Sequence, residues 1–234
     1  MENQIDNQRA AILASLETKA CLKQTIYKNT LHFFEMFKKT GKEIVQDLQP
    51  KISKFEEQVE LEYKENGTYE SAMKIAGDTI FLSMHSNVFN FEDIHPIHQS
   101  NYVKADRTRV YCGMIEIYNF LSDSLKYDRV TDVGYLIGRI FINKDNHFFV
   151  EGTRQLGFLY NDFENMILNE VYVNAIIENA ILYSLEFDLW APAFADVEQI
   201  SLGEMIMKTG VTPHKTGKRL GFDMSNIKSS SIKN

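Results

Sequence analysis

The chain has 234 residues, 44% of them hydrophobic and 24% charged, with four prolines and twelve glycines, enough to bury one ample core and too ordered a composition for a low-complexity protein. Its formal charge of −7 is unevenly spread: residues 1–54 hold nine Lys/Arg against six Asp/Glu, residues 55–206 ten against twenty-five, and residues 207–234 six against one. So acidic a centre repels a phosphate backbone and disfavours nucleic-acid binding except through the basic tail.

The division suggests an N-terminal helical arm (1–54), an α+β core (55–206) and a basic, mobile tail (207–234). Cys21 and Cys112 stand far apart without CxxC spacing, so neither a disulfide framework nor a thiolate metal site is expected, and free thiols suit a reducing cytoplasm. The opening MENQIDNQRAA has neither the basic nor the apolar region of a secretory leader, and no apolar run is long enough to cross a bilayer. The expected location is cytoplasmic, with no membrane partner.

In chain order, residues 22–48 come first. Leu22, Ile26, Phe33, Phe37, Ile44 and Leu48 form an apolar stripe, widened by Tyr27, Leu31, Phe34 and Val45, on a helix that Pro50 stops and Gly41 is able to break. Such a helix, about 42 Å long at 1.5 Å per residue, exceeds what one compact body covers, so part of the stripe is expected to meet a second copy. On that reading a chain beginning at Ser53 is monomeric where the full chain is a dimer.

From Val59 the period changes to two. VELEY (59–63), a turn at ENG (65–67) and TYESAMKIA (68–76) predict a hairpin, and TIFLSMHSNVFNF (79–91) a third strand, bulged near Ser86 and Asn87. Residues 106–125 read as a helix with Val110, Met114, Ile117 and Leu121 on one side. GRIFIN (138–143) and HFFVEG (147–152) predict a second hairpin, 161–187 a long helix, and 196–208 a short amphipathic piece. The fold class expected is α+β: an antiparallel sheet of about five strands packed against helices, with a long N-terminal helical segment.

Residues able to carry chemistry concentrate in FEDIHPIHQSNYVKADRTR (91–109). His85, Asp93, His95 and His98 offer the imidazole and carboxylate ligands of a catalytic zinc, although Pro96 denies them the helical spacing of an HExxH site. Arg107, Arg109 and Arg139 are candidates to grip an anionic small ligand, because arginine's planar fork suits carboxylate or phosphate and the acidic core holds few other cations. Glu60, Glu62 and Lys64 share one face of a strand, as in metal-dependent nucleases, but alternating charge on an exposed hairpin explains them with less machinery. GVTPHKTGKR (210–219) fails the spacing of a phosphate-binding loop.

The leading expectation is a non-enzymatic module that binds a ligand or partner, needs no cofactor and self-associates through its N-terminal helix. The alternative is a metal-assisted hydrolase that uses the 85–98 histidine cluster and a divalent metal such as zinc.

Overall fold

The computed structural model describes residues 2–189 and 191–211. A single helical rod opens the chain: α1 (Glu2–Ser15), a π-helical stretch (Leu16–Ala20) and α2 (Cys21–Ile52) follow without a break. Gly41 does not interrupt it, and Pro50 sits inside its final turn rather than stopping it. After it come six strands, β1 (Leu61–Glu65), β2 (Glu70–Ile75), β3 (Asp78–Phe89), β4 (Cys112–Leu121), β5 (Tyr135–Asn143) and β6 (Phe148–Gly152), paired antiparallel in that order as one meander. The fold class is α+β as expected, with six strands rather than five.

The sixth strand was concealed within 106–125. There the chain makes a single 3-10 turn at Arg107–Val110, then β4 from Cys112 to Leu121 and a five-residue helix, α4 (Ser122–Lys126). Met114 and Ile117, which suggest one helical stripe, lie on opposite faces of a strand. β4 is central, between β3 and β5, and Cys112, Gly113, Met114 and Ile115 are all buried. A strand covered on both faces loses the polar–apolar alternation by which strands are recognised.

The hairpin predicted at 59–76 is β1–β2, registered from Leu61↔Ile75 to Glu65↔Ser71. Gly67 supplies the turn, at φ +95°, a conformation that costs glycine nothing. The bulge predicted near Ser86 is present, since the β3–β4 register slips between His85 and Phe89. After a short α5 (Gln155–Leu159), the long helix predicted over 161–187 starts only at α6 (Glu170–Leu185), capped by the Asn169 side chain, which accepts the Tyr172 N–H. Before it the Asp162 carboxylate accepts the Asn165 N–H, a local bond that competes with helix formation. Short helices α7 (Phe194–Val197) and α8 (Leu202–Val211) occupy the predicted amphipathic piece.

Alternation along each strand sends Met73, Ile80, Leu82, Ile115, Ile117, Ile140 and Ile142 to one face, where α2 and α6 cover them in a single core. Ile26, Phe34 and Phe37 of α2 are wholly buried in it. Polar contacts tie the rod to the strands and their turns: Tyr27 Oη meets Tyr69 Oη at 2.7 Å, Asn29 Nδ2 donates to the Lys144 carbonyl at 2.9 Å, and Gln49 Nε2 donates to the Leu61 carbonyl at 3.2 Å. The opposite face carries a smaller roof. Ile97, Val103 and Val110 pack on Cys112, Met114, Phe141 and Phe149, while Phe81, Ser83, Glu116 and Tyr118 beyond the roof remain half-buried.

The apolar stripe of residues 22–48 is therefore covered by the chain's own sheet and α6. The part of the helix left uncovered lies upstream, where every described side chain from Ile5 to Lys19 is exposed. Among the described residues no helix is long and apolar enough to cross a membrane. The basic tail beyond Val211, with all of GVTPHKTGKR except its first two residues, lies outside the described residues.

Candidate functional site

The polar run from 91 to 109 builds the roof over the second face, and most of its side chains serve as caps. His95 Nδ1 accepts the Ile97 N–H at 3.2 Å and starts the 3-10 turn Pro96–Gln99. Ser100 Oγ accepts the Tyr102 N–H at 3.1 Å and starts α3 (Asn101–Ala105). Asp106 accepts the Thr108 N–H at 2.9 Å and starts the turn Arg107–Val110. Short polar side chains at such positions satisfy the backbone donors that a helix start leaves open.

Asp106 also takes a bond from the Lys144 ammonium, which with Thr108 holds its carboxyl well below the usual carboxylate range. A carboxyl with a depressed folded pKa contributes stability above its unfolded pKa and loses it as the pH falls through the folded value. Asp106→Ala is expected to cost about 1 kcal/mol at pH 7. That gap should narrow as the pH drops below about 4, as read from urea melts at several pH values.

The four candidate metal ligands do not assemble. His85 is exposed, its Nδ1 accepting the Asn87 N–H at 3.1 Å. Asp93 is exposed in the loop. His98 Nε2 meets the Phe91 carbonyl at 3.2 Å. His95 stacks on Phe91 with centroids 4.5 Å apart and turns Nε2 toward Glu151 Oε1 at 3.5 Å. Both ring nitrogens of His95 are thus engaged within the protein, Nδ1 by a backbone N–H and Nε2 by a carboxylate. Among the described residues no group of three or more His, Cys, Asp or Glu side chains is placed to hold a metal ion.

The arginines do not converge on a ligand either. Arg109 is held between Asp145, at 3.1 Å from Nε, and the Tyr102 ring, 4.1 Å from its guanidinium carbon. The opposite side of Tyr102 stacks on His147 at 4.2 Å, and burial pushes its phenol up to about 12. Arg139 bonds Glu151 through Nε at 2.7 Å and Nη2 at 2.6 Å, as their cross-strand register on β5 and β6 dictates. Arg107 is exposed. Arg109 closes the loop over the end of β5, whereas Arg139 lies four residues earlier on that strand, about 13 Å away at 3.3 Å per residue.

Glu151 thus joins His95 to Arg139 and forms a wall between two clefts of about 480 and 470 Å³ at the roof's edge. The first carries Asp162 and Glu164 beside Phe149 and Phe163; the second carries Glu92 beside Phe89 and Phe91. Each cleft is large enough for a small molecule. Of these residues only His95 and Arg139 figure among the sequence candidates. Glu151 is legible only once the β5–β6 register is known.

A second candidate site is the rod's free end. From Glu2 to Lys19 the helix extends past the body for about 27 Å at 1.5 Å per residue. Ile12 is 59% and Leu13 66% exposed, and Ile5 and Leu16 are exposed with them. At 3.6 residues per turn, these four side chains fall within about 100° of one another around the axis. The π stretch Leu16–Ala20 marks the point of departure, with the Thr18 hydroxyl donating back to the Ala14 carbonyl at 2.8 Å. No protein-family model matches the chain, and neither a curated protein nor a solved structure resembles it significantly.

Proposed function

We propose that the chain is a non-enzymatic binding module that associates with a second copy of itself through the free end of its N-terminal helix. The observation that carries this reading is the exposure of Ile5, Ile12, Leu13 and Leu16 along one side of the overhang. An isolated helix of this length is marginal in water, and apolar side chains on its surface favour burial against a partner. An antiparallel pair centred between Ala10 and Ala11 sets Ile5 of each copy against Leu16 of the other, and Arg9 of each against Ile12 of the other.

The overhang leaves the body at the same end of the sheet as the roof, where the Lys19 ammonium lies 6.0 Å from the centroid of the Tyr111 ring. Light scattering on the full chain at tens of micromolar is expected to give twice the 27.1 kDa chain mass. The double variant Ile12→Glu/Leu16→Glu, which touches no core residue, should give the single mass. A full chain that stays at single mass, or a variant that keeps the double mass, removes the proposal.

A further inference from the structure

The two outer strands of the meander end the sheet differently. β6 is covered: the Val150 N–H donates to the Tyr160 carbonyl at 2.8 Å and the Phe148 N–H to the Met166 carbonyl at 3.2 Å. On β1 the Ala76 N–H donates to the Glu60 carbonyl at 2.8 Å and the Asn66 N–H to the Glu70 carbonyl at 3.0 Å. By the alternation of an antiparallel ladder, the even-numbered residues of β1 face β2, and the backbone groups of Leu61, Tyr63 and Glu65 point away from it. The Leu61 carbonyl accepts from Gln49 on that side. Among the described residues nothing bonds the outward backbone groups of Tyr63 and Glu65. An open edge of this kind is a template for a further strand.

The surroundings of that edge carry one sign of charge. Residues 56–70 hold Glu56, Glu57, Glu60, Glu62, Glu65 and Glu70 against Lys64 alone, and all of these glutamates except Glu70 are exposed. Lys64 pairs with Glu62 and Lys74 with Glu60. Among the described residues no cation stands within ion-pair distance of Glu56, Glu57 or Glu65. The opposite sign lies in the chain's own tail, where residues 212–234 hold five Lys/Arg against Asp223. Within the tail, RLGFDMS (219–225) sets Leu220, Phe222 and Met224 at alternate positions, the period of a strand that packs on one side.

We propose that residues 219–224 of the tail lie along the free edge of β1 as a seventh strand of the same molecule, held by backbone hydrogen bonds and by the attraction of Lys218 and Arg219 for the surrounding glutamates. Tyr63 turns its half-buried ring to the α2 side, where Leu220 and Phe222 can lie beside it. With the two segments parallel, Leu220 stands by Leu61 and Phe222 by Tyr63, while on the other side Arg219 meets Glu60 and Asp223 meets Lys64. Opposite charges in such cross-strand positions add to the pairing. The glutamates that suit a basic strand also discourage an acidic one, such as the β1 edge of a second copy.

The test is hydrogen exchange on the full chain, read amide by amide by NMR, because an amide bonded to a neighbouring strand is protected and an open edge amide is not. The Tyr63 and Glu65 amides are expected to exchange at least tenfold more slowly in the unmutated chain than in Leu220→Pro/Gly221→Pro. In that variant one proline or the other falls where the added strand must donate to β1, whichever its alignment. Lys218→Glu/Arg219→Glu should lose the same protection. The Ile115 amide, in the centre of the sheet, should exchange alike in all three proteins and so report an intact fold. Tyr63 and Glu65 amides that exchange alike with and without the prolines, or that keep their protection after charge reversal, overturn the proposal. Protection that grows with protein concentration overturns it too, since the strand would then come from a second copy.

Discussion

Deleting residues 1–52, so that the chain begins at Ser53, is expected to abolish folding rather than to release a monomer. The deletion removes Ile26, Phe33, Phe34, Phe37 and Val45, all buried against the sheet. Burial of a large apolar side chain contributes roughly 1.5–3 kcal/mol, so five amount to about 7–15 kcal/mol, as much as the whole stability of an ordinary domain. Their loss also uncovers Ile80, Leu82, Ile115 and Ile140 on the sheet. The shortened chain should show no cooperative thermal transition and poor amide dispersion. A cooperative melt would mean that the strands and α6 hold a core without the rod.

Gly113→Ala is expected to harm the fold severely, by forcing α2 and β4 apart. Gly113 lies on β4 beneath α2, and a Cβ there would fall 2.0 Å from Thr30 Oγ1 and 2.8 Å from Thr30 Cβ. Thr30 has little freedom to yield, being fully buried with its hydroxyl bonded to the Ile26 carbonyl at 2.8 Å. Helix and strand must move apart, at a cost of about 3 kcal/mol. Thr30→Ala, made in the same protein, removes the nearest atom and should recover part of the loss. A double-mutant cycle in urea measures the coupling. Additive effects would show that α2 does not approach β4 so closely.

Turn residues make much of the fold legible in the sequence: Gly67 separates β1 from β2, and KDN (144–146) separates β5 from β6 although both of those strands are covered on both faces, and the strand boundaries fall within a few residues of expectation. The first half of β4 is covered on both faces, and the four–three–four spacing of Val110, Met114, Ile117 and Leu121 imitates a helical stripe that hides Asn119. On a helix Asn119 lies off the apolar stripe, whereas on a strand it shares a face with Ile115 and Ile117. The histidine and arginine candidates were chosen by residue type. Their partners, the backbone groups of Asn87, Phe91 and Ile97 and the carboxylates of Asp145 and Glu151, depend on turn geometry and strand register that spacing does not reveal. Cys112 is wholly buried and burial raises its thiol pKa, so the small-hydrophobe role expected of it holds on a strand instead of a helix.

The stripe of residues 22–48 exceeds what a small body covers, but a six-stranded sheet together with α6 spans it. The helix then continues upstream through a stretch whose isoleucines and leucines are too sparse to signal a buried face, and there the unpartnered apolar surface lies.

Cys21 is exposed at the base of that overhang, while the Cys112 thiol is buried beyond the reach of a labelling reagent, so the natural chain accepts a single nitroxide without mutation. In an antiparallel pair centred between Ala10 and Ala11, the two labelled positions stand about 33 Å apart, from 1.5 Å of rise per residue and roughly 9 Å between axes. Pulsed electron paramagnetic resonance on the labelled chain is expected to show the dipolar oscillation of two spins at that separation, and to lose it in Ile12→Glu/Leu16→Glu. A decay without oscillation in the unmutated chain would contradict association through the overhang.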